Sequence, residues 1–227
     1  MNDQPSITTI HLVRHGEVDN PTGVLYGQRS GFHLTQLGRE MAEGLAQAFY
    51  PSHDIRAVIT SPLERAIETG TPTAQAFGLE LSTTADLIEA GNKFEGLPIN
   101  DNHLMVLSPR FWPWYANPFE PSWGEPYVQI VARMSRAIRQ ALAVAEGGEA
   151  IVVSHQLPIW TMRRFIEGKS LAHDPRKREC SLCSVTSLTF VRRQLLSLDY
   201  WEPVGELLAR AQDMVPGTSV AAEKRSH

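Results

Sequence analysis

The chain is poor in cysteine: Cys180 and Cys183 are its whole supply in 227 residues. A disulfide framework is therefore excluded as the main source of stability, and a four-ligand zinc site built on CxxC lacks its second half. The pair lies in "CSLCSVTSLTF", which reads as an incoming strand, and is taken as two ordinary thiols. No apolar run approaches the ~18 residues a membrane span requires, and the opening "MNDQPS" has neither a basic nor an apolar stretch of a signal peptide. These absences lead to the expectation of a cytoplasmic protein without a membrane partner. Positive charge is also scarce, with 21 Lys and Arg against 25 Asp and Glu and a net charge of -4, so no general attraction to nucleic acid is expected. An anionic ligand must instead be held by a local cluster of cations.

Local metal and nucleotide motifs are missing too. There is no DxD pair, HExxH, EF-hand loop or GxxxxGK[ST] loop. No metal or cofactor is expected in the reaction. What is present is an ordinary globular composition, 42% hydrophobic, at a length that suits one α/β unit.

Short β-branched runs alternate with helical patterns, which argues βαβ units around a mostly parallel sheet with helices on both faces. The runs are "ITTIHLV" (7 to 13), "IRAVIT" (55 to 60), "LELST" (79 to 83) and "AIVVS" (150 to 154), with closing strands at about 182 to 191 and 194 to 200. Helices are expected at about 35 to 49, 62 to 77, 126 to 146 and 157 to 167. "SPLE" suggests a capping box, with Ser61 as N-cap, Pro62 first in the helix and Glu64 in the reciprocal position. Residues 85 to 125 break every period with proline, glycine and "FWPWY", as a lid insertion does. The expected organisation is one domain over 1–204 carrying that lid, then a helix-capable segment and mobile tail over 205–227.

In open α/β sheets ligands bind outside the carboxyl ends of the strands. Four expected strands are followed there by chemically useful groups: Arg14 and His15 after the first, Arg65 after the second, Glu89 after the third and His155 after "AIVVS". His11, by contrast, lies inside its strand. Two arginines, two histidines and a carboxylate make a site for a phosphoryl group, because the rigid guanidinium fork matches phosphate oxygens and keeps its charge.

"LVRHGE" after a strand, "SPLERAIET" opening a helix, Glu89 in "LIEAGNKFEG" and "VVSH" ending a later strand together resemble the histidine phosphatase superfamily, the phosphoglycerate-mutase-like enzymes. The resemblance spans residues 12 to 155. It implies a three-layer α/β fold in which His15 is the nucleophile and forms a phosphohistidine. Arg14, Arg65 and His155 would surround the transferred oxygens, and Glu89 would act as general acid and then base. A small phosphorylated substrate is implied; a homodimer is compatible with the pattern but not required by it.

Two positions depart from the family pattern. The asparagine usually found seven residues after the motif arginine is Pro21 here, with Asn20 one place early, and the glycine usual after the second histidine is Gln156. Asn20 and Gln156 are still carried as substrate contacts. In the glycine-rich loop 23 to 40, Gly27 and Arg29 are further candidates for touching the substrate, Tyr26 and Gln28 are weaker ones, and Thr35 suits an N-cap. Glu17 reads as a carboxylate that orients an arginine, and "RKRE" (176 to 179) as a solvated loop.

Hydrolysis is expected over mutase chemistry. Between residues 90 and 126 the lid offers only Lys93 and Arg110 against Glu95, Asp101, Glu120 and Glu125, which is poor for a second anionic group. It is rich instead in Phe111, Trp112, Trp114, Tyr115, Phe119 and Trp123. A mutase, and a phospho-ligand binder without activity, are the alternatives.

Overall fold

The computed structural model describes residues 6–97, 108–109 and 124–213. Six strands form one sheet in the order β3-β2-β4-β1-β5-β6: β1 (Ile7–Arg14), β2 (Ile55–Thr60), β3 (Leu81–Thr83), β4 (Glu149–Ser154), β5 (Val185–Val191) and β6 (Gln194–Trp201). The pairs β3–β2, β2–β4 and β4–β1 are parallel, whereas β1–β5 and β5–β6 are antiparallel. The parallel connections run through α1 (Gln36–Phe49), α2 (Glu64–Ala76) and α3 (Tyr127–Val144), and α4 (Gln156–Ile166) follows β4. The expected fold class, a mostly parallel three-layer α/β sheet, is the one observed.

Period-2 alternation sorts the strand residues between two cores. Ile10, Leu12, Ala150 and Val152 pack with Ile130, Met134 and Ile138 of α3 and Ile159 and Met162 of α4. Their neighbours Val13, Ile151 and Val153 face the other way, onto Leu45 and Phe49 of α1 and Ala66 and Ala74 of α2. Because β4 is covered on both faces its run is apolar throughout, which is why "AIVVS" reads as a buried strand. Truncating fully buried Ile151 to alanine costs about 2–5 kcal/mol by the usual cost of a core cavity.

Three local expectations change. Thr35 does cap α1, its hydroxyl accepting from Gly38 N–H at 2.8 Å. Ser61 does not cap α2: the helix starts at Glu64 without a side-chain cap. Ser61 is turned to His155 Nε2 at 2.8 Å, and Glu64 accepts from the Gly31 N–H at 3.1 Å, so tertiary partners have taken both members of the capping box. Cys180 and Cys183 are free and buried but precede β5, with Cys183 at φ 51°. Burial pushes their thiols up to about 11 and about 12, which leaves them inert.

The third change concerns the chain end. A short helix, α5 (Gly205–Leu208), and the residues after it are packed on the body: Leu208 and Ala211 join Met41, Leu182 and Val204 in a small core. Packing thus continues to at least Asp213, past the expected boundary at 204. The rest of the expected tail, 214–227, and the central part of the expected lid, with its aromatic residues and Arg110, lie outside the described residues. No helix among the described residues is long and apolar enough to cross a membrane.

Candidate active site

β1 ends at Arg14, and the backbone then turns so that His15 N–H donates to the Ser154 carbonyl at 3.2 Å, pinning this loop to the end of β4. Gly16 is required by a close approach, since a Cβ there would stand 2.7 Å from the Gly38 carbonyl oxygen at the start of α1. Arg65 projects from the first turn of α2 after β2, His155 is the residue between β4 and α4, and Glu89 follows a single 3-10 turn (Ala85–Leu87) beyond β3. The carboxyl edge of the parallel strands thus collects all five groups.

His15 is 2% exposed, and its Nδ1 lies 2.8 Å from the Gly16 carbonyl oxygen. A carbonyl only accepts, so Nδ1 carries the proton and Nε2 keeps its lone pair. Burial, with the charges of Arg65 and Arg14, holds the ring well below the usual histidine range, so it is neutral at ordinary pH. His155 stands 5.2 Å away, centroid to centroid, and is likewise held neutral by burial, Arg65 and His15. Ser61 Oγ accepts weakly from Leu63 N–H at 3.4 Å and lies 2.8 Å from His155 Nε2, which holds the ring in place.

The two arginines are fixed from behind. Arg14 donates to Asp213 through Nη1 at 2.7 Å and Nη2 at 2.8 Å, and to the Cys180 carbonyl at 2.7 Å. Burial works against its charge, but the facing Asp213 more than offsets this and raises its pKa. Arg65 Nη2 donates to the Gly27 carbonyl at 2.6 Å, and the guanidinium lies 4.7 Å over the Tyr26 ring. Gly27 holds a positive φ of 45°, and a Cβ there would collide with the Glu95 side chain, so glycine presents this carbonyl without displacing Glu95. Glu89 accepts from Ala90 N–H at 2.7 Å; burial raises its pKa against the opposing pull of that bond and of Arg65, Arg178 and Arg133.

These anchors leave specific donors unspent. Arg14 Nε, Arg65 Nε and Nη1, His155 Nδ1 and Gln156 Nε2 are buried without a protein hydrogen-bond partner. Buried N–H groups are ordinarily satisfied, so a cluster of orphans around one imidazole marks a place for an acceptor-rich ligand. The adjoining cleft is lined by Arg14, His15, Tyr26, Gly27, Glu89 and Gln156, among others. A larger apolar groove of about 360 Å³ lies elsewhere, beside Ile138, Met162, Leu188 and Phe190, and is lined by none of the five groups at the strand ends.

Two expected contacts are not brought to the cleft. Asn20 closes its own loop, donating to the Val24 carbonyl at 2.8 Å and accepting from Val24 N–H, and it borders a separate groove with Glu17 and Arg210. Arg29 is exposed and lies over Gly96. Glu17 makes structural hydrogen bonds, but to no arginine among the described residues: it accepts from the Thr35 hydroxyl at 2.5 Å and from Gln212 N–H at 2.6 Å. Two residues that read as structural or solvated in the sequence line the cleft. Tyr26 forms a wall of the cleft, and Arg178, from the supposedly solvated "RKRE", lines it while donating to Gln156 Oε1 at 3.2 Å and His173 Nε2 at 2.9 Å. Nothing in a run of four charges distinguishes Arg178 from Arg176, which pairs with Asp174 at the surface.

Cationic donors thus gather around a buried neutral histidine at the ends of the parallel strands of an α/β protein. The chain belongs to the histidine phosphatase superfamily (branch 1), whose profile matches residues 10–202. It is 49% identical over 199 residues to the Mycobacterium tuberculosis (strain H37Rv) protein Rv0525, covering 88% of this chain and 98% of that one. A probable phosphoglycerate mutase, GpmB of Proteus mirabilis, is 24% identical over 95% of this chain and 97% of its own. In structure the chain resembles the mycobacterial glucosyl-3-phosphoglycerate phosphatase Rv2419c, with a TM-score of 0.68, 20% identity, and coverage of 86% of this chain and 98% of that one. That likeness shows the fold.

Proposed function

We propose that this protein is a metal-independent phosphomonoester hydrolase that acts on a small phosphorylated metabolite through a phosphohistidine. The observation that carries the reading is the set of unspent buried donors on Arg14, Arg65 and His155 around a histidine whose Nε2 is free to attack. His15 Nε2 attacks phosphorus in line; an N–P bond forms as the ester P–O bond breaks, and Glu89 gives its proton to the leaving oxygen. Water then attacks the phosphohistidine, Glu89 takes a proton from it, the N–P bond breaks and phosphate departs. Arg14, Arg65 and His155 hold the three nonbridging oxygens throughout, in a site where fixed cations cost no reorganisation. A raised Glu89 and a depressed His15 are the protonation states the first step requires.

One observation favours the mutase reading: Arg178 adds to the cleft a cation suited to a second anionic group on the substrate. Release of p-nitrophenol from p-nitrophenyl phosphate, undiminished by EDTA, supports the hydrolase. Conversion of 3-phosphoglycerate to 2-phosphoglycerate, primed with bisphosphoglycerate, in place of net phosphate release identifies a mutase. No turnover at all identifies a binding protein.

A further inference from the structure

Three side chains with no part in this chemistry meet at the opposite edge of the sheet. His11 lies within β1, Glu149 opens β4, and His53 stands between α1 and β2. Glu149 is paired in register with Thr9, two residues before His11 and so on the same face of the sheet. His53 is held by its N–H to the Phe49 carbonyl at 3.0 Å, and the Phe49 ring packs at 4.8 Å from each imidazole. His11 Nε2 and His53 Nδ1 both lie 2.7 Å from Glu149 Oε2, and the three donor atoms fall within 4.8 Å of one another.

We infer that this cluster binds one divalent ion of the zinc class through His11 Nε2, His53 Nδ1 and Glu149 Oε2, with solvent completing the shell. Two imidazoles and a carboxylate suit such an ion. Tetrahedral bonds of about 2.0–2.1 Å need donors about 3.3 Å apart, which side-chain movements of about an ångström supply. His53 and Glu149 have 32% and 24% of their side chains exposed, so they have room to move and an ion has a way in.

A supporting shell is already in place. The other ring nitrogen of His11, Nδ1, sits 2.9 Å from Ser187 Oγ, which Trp201 Nε1 also reaches at 3.3 Å, so the imidazole is oriented as a ligating histidine usually is. Loading requires each neutral ring to carry its proton on the nitrogen away from the ion. For His11 that nitrogen has Ser187 as acceptor, and for His53 it belongs to a partly exposed ring, so nothing is left buried and unpaired. Without an ion, Glu149 Oε2 takes both ring N–H groups, an arrangement that also satisfies the three side chains. The same positions thus serve both states, and binding measurements separate a metal site from a hydrogen-bonded cluster. Because the ligands come from three elements far apart in sequence, no local HExxH-type motif announces them. An ion here would tie α1 and β2 to β1 and β4, remote from His15, and stabilise the fold by mass action.

The test is isothermal titration of EDTA-stripped full-length protein with ZnCl2, with the thermal midpoint followed alongside, for wild type, His53→Ala and Glu149→Gln. His15→Ala serves as a control for zinc taken up in the catalytic cleft. The expected result is one Zn2+ per chain in wild type and His15→Ala with a raised Tm. Each cluster variant should lose at least tenfold in affinity together with the Tm rise. Binding that is absent from wild type, or unchanged in the cluster variants, overturns the assignment. If His53→Ala does not fold, Glu149→Gln, which keeps the side-chain shape, decides on its own.

Discussion

Asp213 holds Arg14 by two hydrogen bonds of 2.7 and 2.8 Å across 199 residues of sequence, with both side chains 1% exposed. A segment that looks like a dispensable end therefore fixes an arginine of the candidate active site. Asp213→Ala should leave the Arg14 charge buried and unpaired, at a cost of about 3–5 kcal/mol, with kcat falling alongside. Urea denaturation and kcat on p-nitrophenyl phosphate measure the two effects. Unchanged stability would mean that the pair is not formed in solution.

Glu89 and His15 set the direction of the pH dependence. Burial raises the Glu89 carboxyl, so the protonated acid the first step needs persists above the ordinary carboxylate range and is lost as pH rises through the raised value. His15 is depressed, so its neutral form persists well below the ordinary histidine range and falls away only under strong acid. Glu89→Gln should lower kcat/KM by about 10²–10⁴ on alkyl phosphates, and much less on p-nitrophenyl phosphate, whose leaving group needs little protonation, while kcat falls on both because the second step loses its base. It should also remove the alkaline limb of the kcat/KM profile. An alkaline limb that survives in Glu89→Gln would assign the acid elsewhere.

Arg178 lines the cleft beside Glu89 and Gln156, and the proposed function gives it the part of the substrate beyond the phosphoryl group. Arg178→Ala should raise KM by about tenfold or more for phosphomonoesters bearing a second anionic group, the worth of one charge-assisted hydrogen bond. The values for p-nitrophenyl phosphate should change little. Equal effects on both substrates would place Arg178 at the phosphoryl group itself.

Ser61 positions the ring of His155. Ser61→Ala removes the hydroxyl 2.8 Å from Nε2, loosens the ring, and should lower kcat by about tenfold with little change in KM. Steady-state kinetics with a thermal-melt control checks this, and an unaltered kcat would remove Ser61 from the account.

The order of strands and helices is legible in the sequence because two-sided burial makes "AVI" within β2 and "AIVV" within β4 continuous apolar runs and because each is followed by a helical period. The gathering of Arg14, His15, Arg65, Glu89 and His155 is legible for the same reason: parallel strands present their carboxyl ends to one edge. Long-range partnerships are not. Ser61 and Glu64 carry a sound local capping signal that His155 and Gly31 outbid once the chain is folded. Asn20 looks like a phosphate ligand by its place in a motif, yet the turn it occupies offers Val24 as a nearer partner. Arg178 and Asp213 have no motif at all, since what gives each its role is a residue more than 20 positions away.

The most direct test of the central claim is rapid quenching of the enzyme with a 32P-labelled phosphomonoester, followed by acid and base treatment of the protein. Transfer through His15 predicts acid-labile, base-stable phosphate on that residue during turnover, absent from an inactive His15→Ala variant. A His15→Ala enzyme that still hydrolyses the substrate at the wild-type rate would contradict it.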